Sequence, residues 1–149
     1  MTESVKATDR PSWRNLRILI VATLIALTAQ GWTGDATNLF SMFPSGSIEQ
    51  SVNGVFSGVV TTGFFLIWHA FEGLAIFALS LVVLAFSIKA KPKSVRICAI
   101  LGLVYVVVAG VGGLFFVLSG FTNNGNSAQM GGGFIGAYAF YFMELYYAK

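Results

Sequence analysis

His69 is the only histidine in the chain, and it lies with an acid, Glu72, inside a long apolar run. Positions three apart share one face of an α-helix, so these two side chains are expected to lie side by side. Ionisable groups inside membrane spans are costly unless they are paired or near water. The pair is therefore the first candidate for a functional site, and it could ligate haem, bind a metal or pass protons.

The composition indicates a protein that is surrounded by lipid. The chain has 149 residues, of which 56% are hydrophobic and only 10% are charged, whereas a soluble domain carries about 25% charged residues. The basic residues cluster in the N-terminal tail and around residues 89–96. Basic clusters beside apolar runs are typical of cytoplasmic loops, and they do not indicate a surface for nucleic acid. We predict an integral protein of the cell membrane.

Four apolar runs are long enough to cross a bilayer, which takes about 20 helical residues. These runs extend approximately over residues 16–34, 59–88, 95–119 and 130–148. An open sheet cannot lie in lipid, so residues 1–149 are predicted to form one all-α domain, a four-transmembrane-helix bundle. The basic residues put both termini in the cytoplasm. Glu144, close to the C-terminus, is expected near the cytoplasmic surface.

Two segments are predicted on the outer side of the membrane. Residues 36–58 read as an extracytoplasmic amphipathic segment between helices 1 and 2, with Ser47 and Gln50 at the spacing of a capping box. Residues 120–129 are polar, and Asn124-Gly125 within them indicates a turn.

Several polar side chains are predicted to reach the outer third of the bilayer. His69 precedes Lys89 by 20 residues, which corresponds to about 30 Å of helix. Met130 precedes Lys149 by 19 residues, or about 28 Å. The same count brings four further residues to a similar depth: Gln30, Asp35, Glu72 and Gln129.

The first hypothesis for this level is haem binding, with His69 as one axial ligand and Met130 as the other. His69-x-x-x-Gly73, a basic connection and the Gly-rich stretch 110–113 together resemble one half of the haem A synthase module and, more broadly, the b-type membrane cytochromes. The resemblance covers spans two and three and implies haem b. Those families use paired histidines and this chain has one, so Met130 or a second copy of the chain would supply the other ligand.

Three other hypotheses remain open. Asp35, His69 and Glu72 could hold zinc or copper, or they could form a proton relay, with Gln30 and Gln129 as further polar groups at the site. The protein could instead be a structural or accessory subunit of a larger membrane complex, such as a respiratory one. Its expected partners are the lipid bilayer and either further copies of itself or other membrane subunits. No nucleophile motif such as G-x-S-x-G is present, so the sequence does not favour an enzyme.

Overall fold

The computed structural model describes residues 13–43 and 51–148, and these residues contain helices and loops but no strand. The prediction of an all-α fold is confirmed for this part of the chain. Five helices follow one another in the order α1 (Trp13–Phe40), α2 (Val52–Thr62), α3 (Phe64–Ser87), α4 (Lys93–Leu118) and α5 (Asn124–Tyr147).

The four long helices form a closed bundle. Helix α1 packs against α3, α3 against α4, α4 against α5, and α5 returns to α1, while the short α2 lies on α3 and α4. Short connections join α3 to α4 and α4 to α5, which favours antiparallel neighbours in a bundle. Hydrogen bonds show that residues late in α1 lie beside residues early in α3, and this arrangement positions the candidate site.

Three of the described helices are long and apolar enough to cross a membrane: α1, α3 and α4. Helix α5 has 24 residues and completes the bundle, but its first ten positions are mainly Asn, Ser, Gln and Gly. These residues lower its mean hydropathy, which is why it differs from the other three.

The apolar run predicted as one span over residues 59–88 is divided in the structure. Helix α2 ends at Thr62 and α3 begins at Phe64, with Gly63 between them at φ 113°. Glycine is the residue that adopts such a positive φ without steric cost. The break removes the excess length of the predicted span, because the 24 residues of α3 cover about 36 Å.

The two predicted outer segments also differ from the structure. Helix α1 continues to Phe40, and α2 starts after Ser51, whose side chain accepts a hydrogen bond from Gly54 N at 3.0 Å. The predicted capping box at Ser47 lies outside the described residues. In the second segment α5 already begins at Asn124, because Asn123 Oδ1 caps it by accepting from Gly125 N at 2.9 Å. The Asn-Gly pair thus opens a helix instead of forming an isolated turn.

Glycines bring the backbones of α4 and α5 into close contact, as small residues do between membrane helices. A Cβ atom on Gly133 would lie 2.5 Å from Ala109 N, and one on Gly112 would lie 2.8 Å from Met130 N. The adjacent Gly132 has open space around its Cβ position. The α4–α5 contact therefore depends on particular glycines.

Replacing Gly133 by Val is expected to destabilise the protein by about 1–3 kcal/mol, since the added side chain must push the backbones of α4 and α5 apart. The measurement is the thermal unfolding midpoint in detergent. Gly132→Val is the matched control, because it makes the same substitution at the next helical position without a contact. Equal midpoints for the two variants would contradict close packing at Gly133.

Candidate functional site

A cluster of four half-buried polar side chains joins α1 to α3, and we call it the His69 cluster. Helix α1 contributes Gln30 and Thr33, and α3 contributes His69 and Glu72. Each pair is three residues apart and so shares one helical face. Two glycines leave the room that these side chains occupy. A Cβ atom on Gly34 would lie 3.1 Å from His69 Cε1, and one on Gly73 would lie 3.5 Å from Gln30 Nε2.

The backbone fixes the orientation of the Gln30 amide. Gln30 Nε2 lies 3.1 Å from the carbonyl oxygen of His69 and 3.1 Å from Nε2 of the His69 ring. A carbonyl oxygen only accepts, so the atom facing it must be the amide NH₂ group. The second hydrogen of this group is donated to the ring, and His69 Nε2 is therefore the unprotonated, accepting nitrogen.

The other ring nitrogen contacts a hydroxyl that has only one proton to donate. Thr33 Oγ1 lies 2.6 Å from Glu72 Oε2, 3.2 Å from Gln30 O and 3.2 Å from His69 Nδ1. Of the three contacts, the one to the Glu72 carboxylate is the shortest, and a carboxylate is also the strongest acceptor of the three. The hydroxyl therefore donates to Glu72. His69 Nδ1 then carries a hydrogen and donates it to Thr33.

These contacts define one ordered chain of donors, in which Gln30 donates to His69, His69 to Thr33 and Thr33 to Glu72. The chain fits a neutral imidazole with its hydrogen on Nδ1. A doubly protonated ring would place an N–H group against the NH₂ group of Gln30. Gln30 Oε1 is buried and has no hydrogen-bond partner among the described residues, so one acceptor remains free beside the ring.

The arrangement does not fit the predicted haem site. A haem iron binds the free lone pair of an imidazole nitrogen, whereas His69 Nε2 accepts a hydrogen bond from Gln30. Met130 packs on the other side of the bundle, where its sulfur lies 3.4 Å from the Cβ position of Gly113 on α4. Haem ligation by His69 and Met130 stays an untested prediction that would require the Gln30 amide to move away.

The other predicted site residues lie outside the His69 cluster. Asp35 is exposed on α1. Gln129 is also exposed, and its Nε2 donates to Val108 O at 3.4 Å. Within residues 13–43 and 51–148, no group of three His, Cys, Asp or Glu side chains is placed to hold a metal ion. The structure thus brings together Gln30, His69 and Glu72 of the residues predicted from the sequence.

Two polar residues were not recognised from the sequence as members of a polar cluster. Thr33 was not singled out, although its spacing from Gln30 puts it on the same face of α1. Glu144 was expected near the cytoplasmic surface, and this depth stays a prediction. Its burial was not expected: the structure buries it completely, and Ser87 Oγ donates to its Oε1 at 2.5 Å. The spacing offers the signal, because Glu144 shares a helical face with the buried Ala137 and Tyr141.

Over residues 13–43 and 51–148, the chain is an all-α structure with three helices that could span a membrane and a polar hydrogen-bonded network between two of them. No protein-family model, curated protein or solved structure matches this chain.

Proposed function

We propose that this protein is a four-span protein of the cell membrane that conducts protons, with His69 as the group that takes up and releases each proton. The observation that carries the proposal is the ordered chain of hydrogen bonds from Gln30 through His69 and Thr33 to Glu72. Histidine suits this task because its charge changes near neutral pH. Polar and ionisable side chains inside spans commonly form such relays.

The proposed topology places the His69 cluster near the outer face of the membrane. Helix α5 serves as the fourth span, because it packs within the same bundle and its 24 residues cover about 36 Å. The basic N-terminal tail and the 89–96 loop put both termini in the cytoplasm. Helix α2 then lies on the extracytoplasmic side, next to the beginning of α3.

The proposed transfer begins with a proton that binds His69 Nε2. The Gln30 NH₂ group must leave this nitrogen, and rotation of the amide presents Oε1, which now lacks a partner. The Nδ1 proton then passes to Thr33 while the hydroxyl proton of Thr33 passes to Glu72. His69 is left neutral with its hydrogen on Nε2, and Glu72 releases the proton it received to water. The starting tautomer returns when water takes the proton from Nε2 and supplies one to Nδ1. The rotated amide sets Oε1 against the carbonyl of His69, and this repulsion then favours rotation of the NH₂ group back to Nε2.

Reconstituted liposomes test the proposal. A potassium diffusion potential is imposed with valinomycin, and a trapped pH-sensitive dye reports proton entry. The wild-type protein is expected to conduct protons well above protein-free liposomes, and His69→Phe is expected to return the rate to that background. Asp35→Asn should conduct like the wild type, because Asp35 is exposed and lies outside the His69 cluster. A wild-type rate at background, or a His69→Phe rate equal to the wild-type rate, would overturn proton conduction.

A second candidate function is that of a subunit within a larger membrane assembly. An exposed aromatic surface on α2 and α3 favours it, formed by Phe56, Phe64, Trp68 and Phe71. Phe64 and Trp68 stack there with ring centroids 6.2 Å apart. Partner subunits or further copies of the chain would cover this surface and should remain bound in mild detergent. Native mass spectrometry that finds only a monomer with bound lipid would count against this function.

A further inference from the structure

A second polar cluster lies inside the bundle, and we call it the Glu144 cluster. It consists of four completely buried side chains, two on α3 and two on α5: Ser80, Ser87, Tyr141 and Glu144. Ser80 and Ser87 follow His69 by 11 and 18 residues, so this cluster lies about 17–27 Å further along α3. It is therefore separate from the His69 cluster and lies toward the other end of the bundle.

Three oxygen atoms of the Glu144 cluster have no hydrogen-bond partner within the described part of the chain: Ser80 Oγ, Tyr141 Oη and Glu144 Oε2. Tyr141 and Glu144 are three residues apart on one face of α5, Ser80 and Ser87 are seven apart on one face of α3, and the hydrogen bond from Ser87 to Glu144 sets these two faces against each other in the bundle. Buried polar atoms in proteins are almost always satisfied by protein groups or by ordered water. A water molecule with two to four polar partners is the usual occupant of such a place.

The surrounding helices hold these side chains in position. The ring of Tyr141 lies where Gly102 of α4 has no side chain, since a Cβ atom there would be 2.8 Å from Tyr141 Cζ. Ser87 Oγ contacts Val83 O at 2.8 Å as well as Glu144 Oε1 at 2.5 Å, and its one proton goes to the closer carboxylate. One carboxylate oxygen is thus held, while the other, Oε2, is buried without a hydrogen-bond partner among the described residues.

Among residues 13–43 and 51–148, no cation acts on the carboxylate of Glu144. The titratable neighbours that interact with it are Tyr141 on its own helix and Cys98 on α4. Helix α3 faces it with the hydroxyls of Ser80 and Ser87, and α1 contributes Leu16 and Ile20 to the apolar core at this end. A buried carboxylate without a paired cation is strongly disfavoured, and taking up a proton removes its charge.

We propose that Glu144 is a second proton-binding site, in which a bound water bridges Glu144 Oε2, Tyr141 and Ser80 and exchanges a proton with the carboxylate. When the site takes up a proton, a hydronium ion transfers it to Glu144 Oε2 and becomes a neutral water molecule. When the site releases the proton, its bond to Oε2 breaks and water takes the proton. The proposal that Glu144 binds a proton does not depend on proton conduction. The proposal that Glu144 is the cytoplasmic-side proton site of a conduction pathway rests on the proposed function.

Infrared difference spectroscopy of the protein in nanodiscs, recorded between two pH values, tests the binding site. The protonated carboxyl C=O band of Glu144 is expected to appear on acidification and to vanish in Glu144→Gln, which keeps the size of the side chain. Ser87→Ala should shift this band, because one hydrogen bond to the carboxyl is lost. Glu72→Gln is the control and should leave the band in place. A spectrum that Glu144→Gln leaves unchanged, or a band that Ser87→Ala leaves unshifted, would overturn the site.

Proton flux separates the binding site from the pathway. Glu144→Gln is expected to lower the flux in liposomes at least tenfold. Undiminished flux in this variant, with the infrared band lost as expected, would overturn the pathway role of Glu144 and leave the proton-binding site intact. Absence of flux in the wild type would instead refute the proposed function, while the infrared band would still decide whether Glu144 binds a proton.

Discussion

Glu72→Gln is expected to lower proton flux by on the order of a hundredfold, because glutamine keeps the shape of the side chain but cannot take the proton that Thr33 passes on. Thr33 Oγ1, which lies 2.6 Å from Glu72 Oε2, can still donate to the amide oxygen of the new side chain. Packing of α1 on α3 should therefore be retained. The valinomycin-driven liposome assay measures the flux, and the thermal midpoint in detergent verifies the fold.

Asp35→Asn is the matched control for this variant, since it removes an acid from an exposed position on α1, the helix that packs against α3. Its flux should equal that of the wild type. Wild-type flux in a folded Glu72→Gln protein would show that the carboxylate of Glu72 does not accept protons during conduction.

Thr33→Val is expected to cause a loss of flux of the same order, because it removes the hydroxyl that contacts both His69 Nδ1 and Glu72. Valine has nearly the size of threonine, so the backbones of α1 and α3 need not move. The variant should also lose about 1–3 kcal/mol of stability, as partners of the hydroxyl are left unsatisfied. Flux and thermal midpoint are both measured on the same preparation.

Thr33→Ser distinguishes the relay from packing in this experiment. Serine keeps the hydroxyl and loses only a methyl group, so flux should stay near the wild-type rate. If Thr33→Val conducts like Thr33→Ser, the hydroxyl is not part of the path and the proton must cross between His69 and Glu72 in another way.

The helices were predictable from the sequence where hydropathy alone determines the structure. Long apolar runs with few charges can only be helical in lipid, which is why α1, α3 and α4 agree with three of the predicted spans. The break at Gly63 was not predictable in the same way. Gly54, Gly58 and Gly63 all lie in or beside the same apolar stretch, and the sequence does not distinguish Gly63 as the one that takes the positive φ.

The level of the site residues along their helices was predictable from the sequence, but the direction in which each side chain points was not. Counting residues along antiparallel helices brought Gln30, His69 and Glu72 to one level, and the structure joins them through hydrogen bonds. The same count gave Asp35 and Met130 a similar depth, yet Asp35 is exposed and Met130 packs on α4. The rotation of a helix about its axis depends on the packing of its neighbours, and hydropathy does not report it.

Glycines on α1 and α3 connect the packing to the proposed chemistry. Gly34 and Gly73 leave the space that the imidazole of His69 and the amide of Gln30 fill. A Cβ atom on Gly34 would press on the His69 ring at 3.1 Å, whereas one on Gly73 would make an ordinary van der Waals contact with Gln30 Nε2 at 3.5 Å. Because the rotation of the Gln30 amide is a step of the proposed transfer, this space is expected to matter for proton transfer as well as for stability.

The tautomer of His69 gives the most direct test, because a single histidine yields only two ring ¹⁵N signals. The protein is labelled with ¹⁵N-histidine, purified through a tag that contains no histidine, and studied by NMR in lipid at a pH where the ring is neutral. We predict a protonated Nδ1 and an unprotonated Nε2 that accepts a hydrogen bond, with the Nε2 signal shifting in Gln30→Leu. A protonated Nε2, or an Nε2 signal that Gln30→Leu leaves unchanged, would contradict the ordered chain from Gln30 to Glu72.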